Sequence, residues 1–180
     1  MLALAADDVV PFDDWNTAAR ASLTLLHGTV GLDVWMVTQV QDSRQVVVHS
    51  HPEEVLPPGA WVPWISSYCR LMVTGAAPRV ATVAAATPAY RDRTGHLERI
   101  AAYIGVPLVT RDGALFGSLC GISSRAQPRS LTRFLPLVEM TARMLSTLLP
   151  PWPADQPAVL SPTGALWEWP TQVLSAPSDG

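Results

Sequence analysis

The 180-residue sequence has no row of basic residues, no long apolar run and no close-set group of cysteines, and each absence removes a class of function. Lys and Arg together number 12 against 15 Asp and Glu, for a formal net charge of −3. The cations nowhere gather into a stripe able to neutralise successive phosphates, so nucleic acid is not expected as a partner. No apolar stretch approaches the ~20 residues needed to span a bilayer. Met1 to Pro11 carries Asp7 and Asp8 but no basic residue, and so lacks the positive start of a secretory signal. These features predict a cytoplasmic protein without a membrane partner.

The two cysteines, Cys69 and Cys120, are read as free thiols, since nothing points to an oxidising compartment. His27, His49, His51 and His96 are scattered, and no spacing of Cys and His resembles a zinc site, so no metal is expected. A glycine-rich phosphate loop is missing as well. No Ser or Cys stands with His and carboxylate partners on ordered elements, and the sequence is not expected to be an enzyme.

Hydrophobic residues make up 48% and charged residues 15%, enough apolar surface to offset the entropy of ordering one core. Asp13 or Asp14 can cap a first helix, in which Trp15, Ala18, Ala19, Leu23, Leu26 and Val30 follow helical spacing and Gly28 to Gly31 mark the end. Asp33 to Val40 and Gln45 to Ser50 are β-branched runs around a polar turn, which predicts a hairpin whose first strand is covered on both faces. Trp61, Trp64, Ile65, Tyr68, Leu71 and Met72 recur at three and four residues, predicting a second helix with an aromatic face that Gly75 ends.

Arg79 to Val83 reads as a short strand and Ala84 to Gly95 as a loop or short helix. Ala102 to Thr110 and Leu115 to Ser123 flank Asp112-Gly113, a second hairpin. Pro107 removes a ladder donor from it, which predicts a bulge or an unpaired side. Phe134 to Leu149 makes a closing helix that tolerates Pro136 only if it starts near Thr132. The order of elements predicts an α+β fold: a central antiparallel sheet of five or six strands with helices on both faces. Residues 1–13 read as an N-terminal extension and 14–149 as the domain. Residues 150–180, with seven of the 17 prolines, read as a tail that holds a short hairpin near Trp167 and Trp169.

Tyr103-Ile104-Gly105-Val106-Pro107-Leu108, then Asp112-Gly113, then Phe116-Gly117-Ser118-Leu119-Cys120-Gly121 resembles the signature hairpin of the GAF family. Ser67-Tyr68-Cys69-Arg70, Ala89-Tyr90 and the helix Thr132 to Leu149 resemble bacterial signalling members, and the likeness spans roughly Asp14 to Leu149. The resemblance implies a sheet packed on one face by the first and last helices, which often pair with a second copy. On the other face it implies a small-molecule pocket. Members bind cyclic nucleotides, linear tetrapyrroles, haem or small acids, and fold alone does not choose among these.

Tyr68, Tyr90 and Tyr103 suit a pocket that needs a few polar groups among apolar walls. Cys69, beside the aromatic stripe, and Cys120, inside a strand, are the candidate thiols. His96, with Arg91, Arg93 and Arg99, falls where such domains cover their pockets. Trp61 and Trp64 are read as filling the gap between helix and sheet, and Trp35 as core. The Asp-Ile-Pro segment and the Cys-His pair of phytochrome relatives do not occur, nor does the constellation that accompanies cyclic nucleotides.

The function expected is a stand-alone sensory or regulatory domain that binds an unknown small ligand, pairs as a homodimer through its first and last helices, and signals in trans to a partner protein. Two other readings compete with it. One is an adaptor that binds no ligand and docks through Trp152, Trp167 and Trp169. The other is a thiol-dependent methionine sulfoxide reductase, which would need a set of cysteines around its pocket. A cavity of roughly 300 Å³ or more beneath the second helix is the size a ligand site requires.

Overall fold

In the computed structural model, residues 9–91 and 99–151 are described. Helix α1 (Trp15–Val30) starts where the Asp14 side chain accepts a hydrogen bond from the Thr17 amide, and ends at Gly31 in the left-handed conformation. Strands β1 (Val34–Gln41) and β2 (Arg44–His51) follow, joined by Asp42 and Ser43, both at positive φ, the geometry that suits a tight two-residue hairpin.

The second helix differs from its prediction. Trp61–Pro63 is a short strand, β3, paired with β2, and Trp64–Ser66 is one 3-10 turn. Only Tyr68–Val73 is helical, as α2, with the Ser67 hydroxyl accepting from the Arg70 amide as its cap. The apolar spacing across residues 61–72 spans three elements that happen to bury a common side, and Pro63, which leaves Trp61 and Val62 free to extend, ended the helical continuity that periodicity alone implied.

The chain continues through β4 (Val80–Ala81) and α3 (Pro88–Arg91) to β5 (Ala102–Val109) and β6 (Leu115–Ser123), and closes on α4 (Leu135–Leu148). A 3-10 segment, Arg129–Phe134, precedes α4, so Pro136 sits in the first turn, where its missing N–H costs nothing. The six strands form one antiparallel sheet in the order β3-β2-β1-β6-β5-β4. Pro107 stands in register with Ser118, and the register shift falls beside it, between Leu108 and Val109. The Gly105 amide bonds the Arg79 carbonyl, so the nitrogen of Pro107, two residues on, faces the same edge beyond the end of β4, where no donor is needed.

Alternation along the strands divides the core in two. Trp35, Val37, Ile104, Val106 and Leu119 face α1 and α4, where Leu23, Leu26, Val138, Ala142 and Leu145 cover them. Val34, Met36, Tyr103, Cys120 and Ile122 face the opposite way, beneath α2 and Tyr90 of α3. The helices therefore lie on both faces of the sheet. The β1–β2 pairing skips Val48, and this bulge turns two successive residues to the same side: Val48 enters the α1/α4 core, and His49 meets Asn16 and Trp15.

Candidate functional site

The α2 face of the sheet holds a cavity of about 50 Å³, walled by apolar side chains such as Met36, Leu56 and Ile122. Its volume suits about one to three water-sized molecules and falls well below the ~300 Å³ of a typical ligand pocket. Among the described residues, the space under the second helix is narrowed by that helix being short and by Tyr68, Leu71 and Met72, which are buried against the sheet.

Polar groups converge on one wall. The Gln45 amide donates to Cys69 Sγ at 3.0 Å and to Thr38 Oγ1 at 3.1 Å. Thr38 Oγ1 is 2.8 Å from Ser118 Oγ, and the Tyr103 hydroxyl donates to Cys69 Sγ at 3.3 Å. Cys69 Sγ and Cys120 Sγ lie 3.6 Å apart, both thiols are free, and both residues are buried. α2 delivers Cys69 from above, while β6 delivers Ser118 and Cys120 from below, two residues apart and hence on one face.

This arrangement splits the two thiols electrostatically. Burial alone would push the Cys69 thiol up, but hydrogen bonds from Cys120, Ser118, Tyr103 and Gln45 outweigh it and bring it down to about 7. Cys120 moves the other way: its hydrogen bond to Cys69 and its burial hold it protonated, well above its ordinary value. Burial and the neighbouring Cys69 charge likewise keep the Tyr103 phenol protonated as a donor.

Of the residues singled out from sequence, Tyr68, Cys69, Tyr103 and Cys120 line the cavity. Tyr90 stands behind them, stacked on Tyr68 with ring centres 4.4 Å apart and 5.6 Å from Tyr103, its hydroxyl donating to the Pro78 carbonyl. His96 and Arg93 lie outside the described residues, while Arg91 and Arg99 are exposed. Trp61 belongs to the cavity wall rather than to a gap between helix and sheet, with the Arg44 guanidinium 4.5 Å above its ring. Sequence reasoning missed Thr38, Gln45 and Ser118. Their signal is a polar residue at a cavity-facing position of a strand whose neighbours on that face are apolar.

Among the described residues, no group of three or more His, Cys, Asp or Glu side chains could hold a metal ion, and no helix is long and apolar enough to cross a membrane.

No protein-family model and no curated protein matches the sequence. Solved structures do. The GAF domain of a phosphoenolpyruvate-protein phosphotransferase from Acinetobacter is 16% identical with a TM-score of 0.55, over 76% of this chain and 82% of that one. The free methionine-R-sulfoxide reductase of Neisseria meningitidis is 19% identical with a TM-score of 0.56, over 74% and 77%. The second GAF domain of DevS from Mycobacterium smegmatis is 17% identical with a TM-score of 0.53, over 74% and 94%.

Proposed function

We propose, from the GAF fold of this chain, that it is a cytoplasmic regulatory module without turnover of its own, which receives a small chemical signal in the α2-side cavity and passes it to a partner protein. The observation that carries this reading is the convergence of Gln45, Thr38, Cys69, Cys120 and Tyr103 on one wall of a mostly apolar cavity, with Ser118 behind them bonded to Thr38. Buried polar groups are costly unless they serve each other or a guest. Here they serve each other around a space of about 50 Å³, which selects a guest of very few atoms.

The far side of the sheet supplies a route outward. Cys120 and Leu119 are consecutive on β6, one facing the cavity and the other the α1/α4 core, so a shift of the strand is felt on both sides. On the outer surface of that helix layer, Leu25, Met140, Met144 and Leu148 are more than half exposed, an apolar stripe suited to a second copy of the chain.

A methionine sulfoxide reductase activity, as in the Neisseria neighbour, is the competing reading, and the paired thiols favour it. The small volume of the cavity disfavours it, since an amino-acid substrate needs more room than about 50 Å³. Thermal-shift screening of small metabolites and gases, beside an assay for loss of methionine sulfoxide, separates the two. A ligand-dependent rise in Tm without turnover supports the regulatory module, and turnover overturns it.

A further inference from the structure

The cavity wall holds two thiols in conditions that differ by design of their neighbours, and this is more than apolar filling requires. A buried cysteine that only fills space makes do with weak contacts, because a neutral thiol is a poor acceptor. Cys69 instead has the Gln45 amide at 3.0 Å and the Tyr103 hydroxyl at 3.3 Å aimed at its sulfur, donors that match a thiolate. The second sulfur, Cys120 Sγ, stands 3.6 Å away, and closing to the ~2.05 Å of a disulfide asks for about 1.5 Å of movement. α2, six residues long, carries the sulfur that must move.

We propose that Cys69 and Cys120 form a receptor for small hydroperoxides, with Cys69 the attacking sulfur and Cys120 the resolving one. The inference rests on reading the cavity as the place where the signal is received, and it names that signal. In the first step the Cys69 thiolate attacks the outer oxygen of the hydroperoxide, the O–O bond breaks, and the departing alkoxide or hydroxide takes a proton to leave as alcohol or water. Cys69 is then a sulfenic acid. In the second step the Cys120 sulfur attacks Cys69 Sγ, the S–OH bond breaks, and the hydroxyl leaves as water with the proton that Cys120 gives up. Two thiols and one hydroperoxide thus become one disulfide, one alcohol or water, and one water. The sulfurs lose two electrons and the O–O bond gains them.

Each structural feature has a part in this sequence. The cavity of about 50 Å³ has room for hydrogen peroxide beside both sulfurs. Gln45 and Tyr103 hold Cys69 ready as the nucleophile, while Cys120 stays protonated until its turn. Disulfide formation removes the acceptor of both donors, so Tyr103, near the start of β5, and α2 must both readjust.

The test uses the full-length chain, reduced and freed of reductant, treated with one equivalent of hydrogen peroxide and then unfolded and alkylated. The expected product has lost two hydrogens, takes up no alkylating agent, remains monomeric on a non-reducing gel, and yields a peptide linking Cys69 to Cys120. In Cys120→Ser the reaction should stop at a sulfenic acid on Cys69, trapped by dimedone. In Cys69→Ser oxidation should slow by roughly tenfold or more. Two alkylated thiols after treatment, a bond only between chains, or equal oxidation rates in Cys69→Ser and the parent chain would each overturn the proposal. A chain that stays dithiol but gains thermal stability with another small ligand sinks this inference and leaves the regulatory reading standing. A chain that forms the Cys69–Cys120 bond with no change in Tm on oxidation bears out the thiol chemistry and counts against the regulatory reading.

Discussion

The Tyr103 ring lies flat along β5 over Gly105, so close that a Cβ on Gly105 would stand 2.6 Å from the Tyr103 Cζ and overlap its hydroxyl. Glycine is needed here for the space its missing side chain leaves, which lets the phenol reach Cys69. In Gly105→Ala the phenol must swing away, since the β5 backbone is held by β6 and cannot yield. The expected cost is about 1 to 3 kcal/mol in urea unfolding. Cys69 should also alkylate more slowly at neutral pH, having lost a donor. Unchanged alkylation would mean that the ring position does not matter to the thiol.

Tyr103→Phe separates the hydroxyl from the ring. It keeps the packing against Tyr68 and Tyr90, whose ring centres lie 5.6 Å from that of Tyr103, and removes only the donor to Cys69. A hydrogen bond to a charged acceptor is worth roughly 1.5 to 3 kcal/mol, so the pH at which Cys69 ionises should rise by about one or more from its value near 7. Thiolate absorbance followed against pH measures this directly. A titration that overlays the parent curve would remove Tyr103 from the site.

Met140 and Met144 stand one helical turn apart on α4, exposed at 54% and 59%, with Leu148 one turn further at 51%. Because none of the three is buried in the protomer, Met140→Glu with Met144→Glu should change protomer stability by less than about 1 kcal/mol. If a second copy of the chain covers this stripe, the parent should be a dimer in light scattering at micromolar concentration and the double variant a monomer. A parent chain already monomeric there would overturn the homodimer.

The strands and the long helices were legible because each carries a local signal. Asp112-Gly113 marked the β5–β6 turn, and β6 runs Leu115–Ser123 as its β-rich stretch indicated. Asp14 and Gly31 bounded α1. Residues 61–66 were misread because helical periodicity also arises where consecutive short elements bury a common side, and no local rule separates the two. At the site, three tyrosines suggested a cluster because each needs a polar partner when buried, and they do meet. The cysteine pair was not legible. Cys69 and Cys120 are 51 residues apart, and only the crossing of α2 over β6 brings them together. Gln45 was hidden for a related reason: beside a hairpin turn it looks solvent-exposed, and only β3 and α2 above it bury its amide.

The β2 bulge leads to a prediction about acid stability. By turning His49 toward α1, it places the ring 5.9 Å from Trp15 and sets Nε2 2.8 Å from Asn16 Oδ1, in surroundings that leave the residue 6% exposed. Burial is the main force that lowers its pKa below the ordinary 6.5, and the charge of Arg20 adds to it, while Glu53 and Asp14 pull weakly the other way. The unfolded chain therefore takes up this proton first as the pH drops. The contribution of neutral His49 to stability is complete above 6.5 and is lost as the pH falls below that point through the lowered folded value. His49→Gln keeps a donor for Asn16 and cannot titrate. In urea unfolding it should be less stable than the parent at about pH 7, and the gap should narrow toward about pH 5 as the parent alone loses stability at this site. Parallel curves across that range would show that His49 is as easily protonated in the folded chain as in the unfolded one, and that the bulge gives it no protection from water.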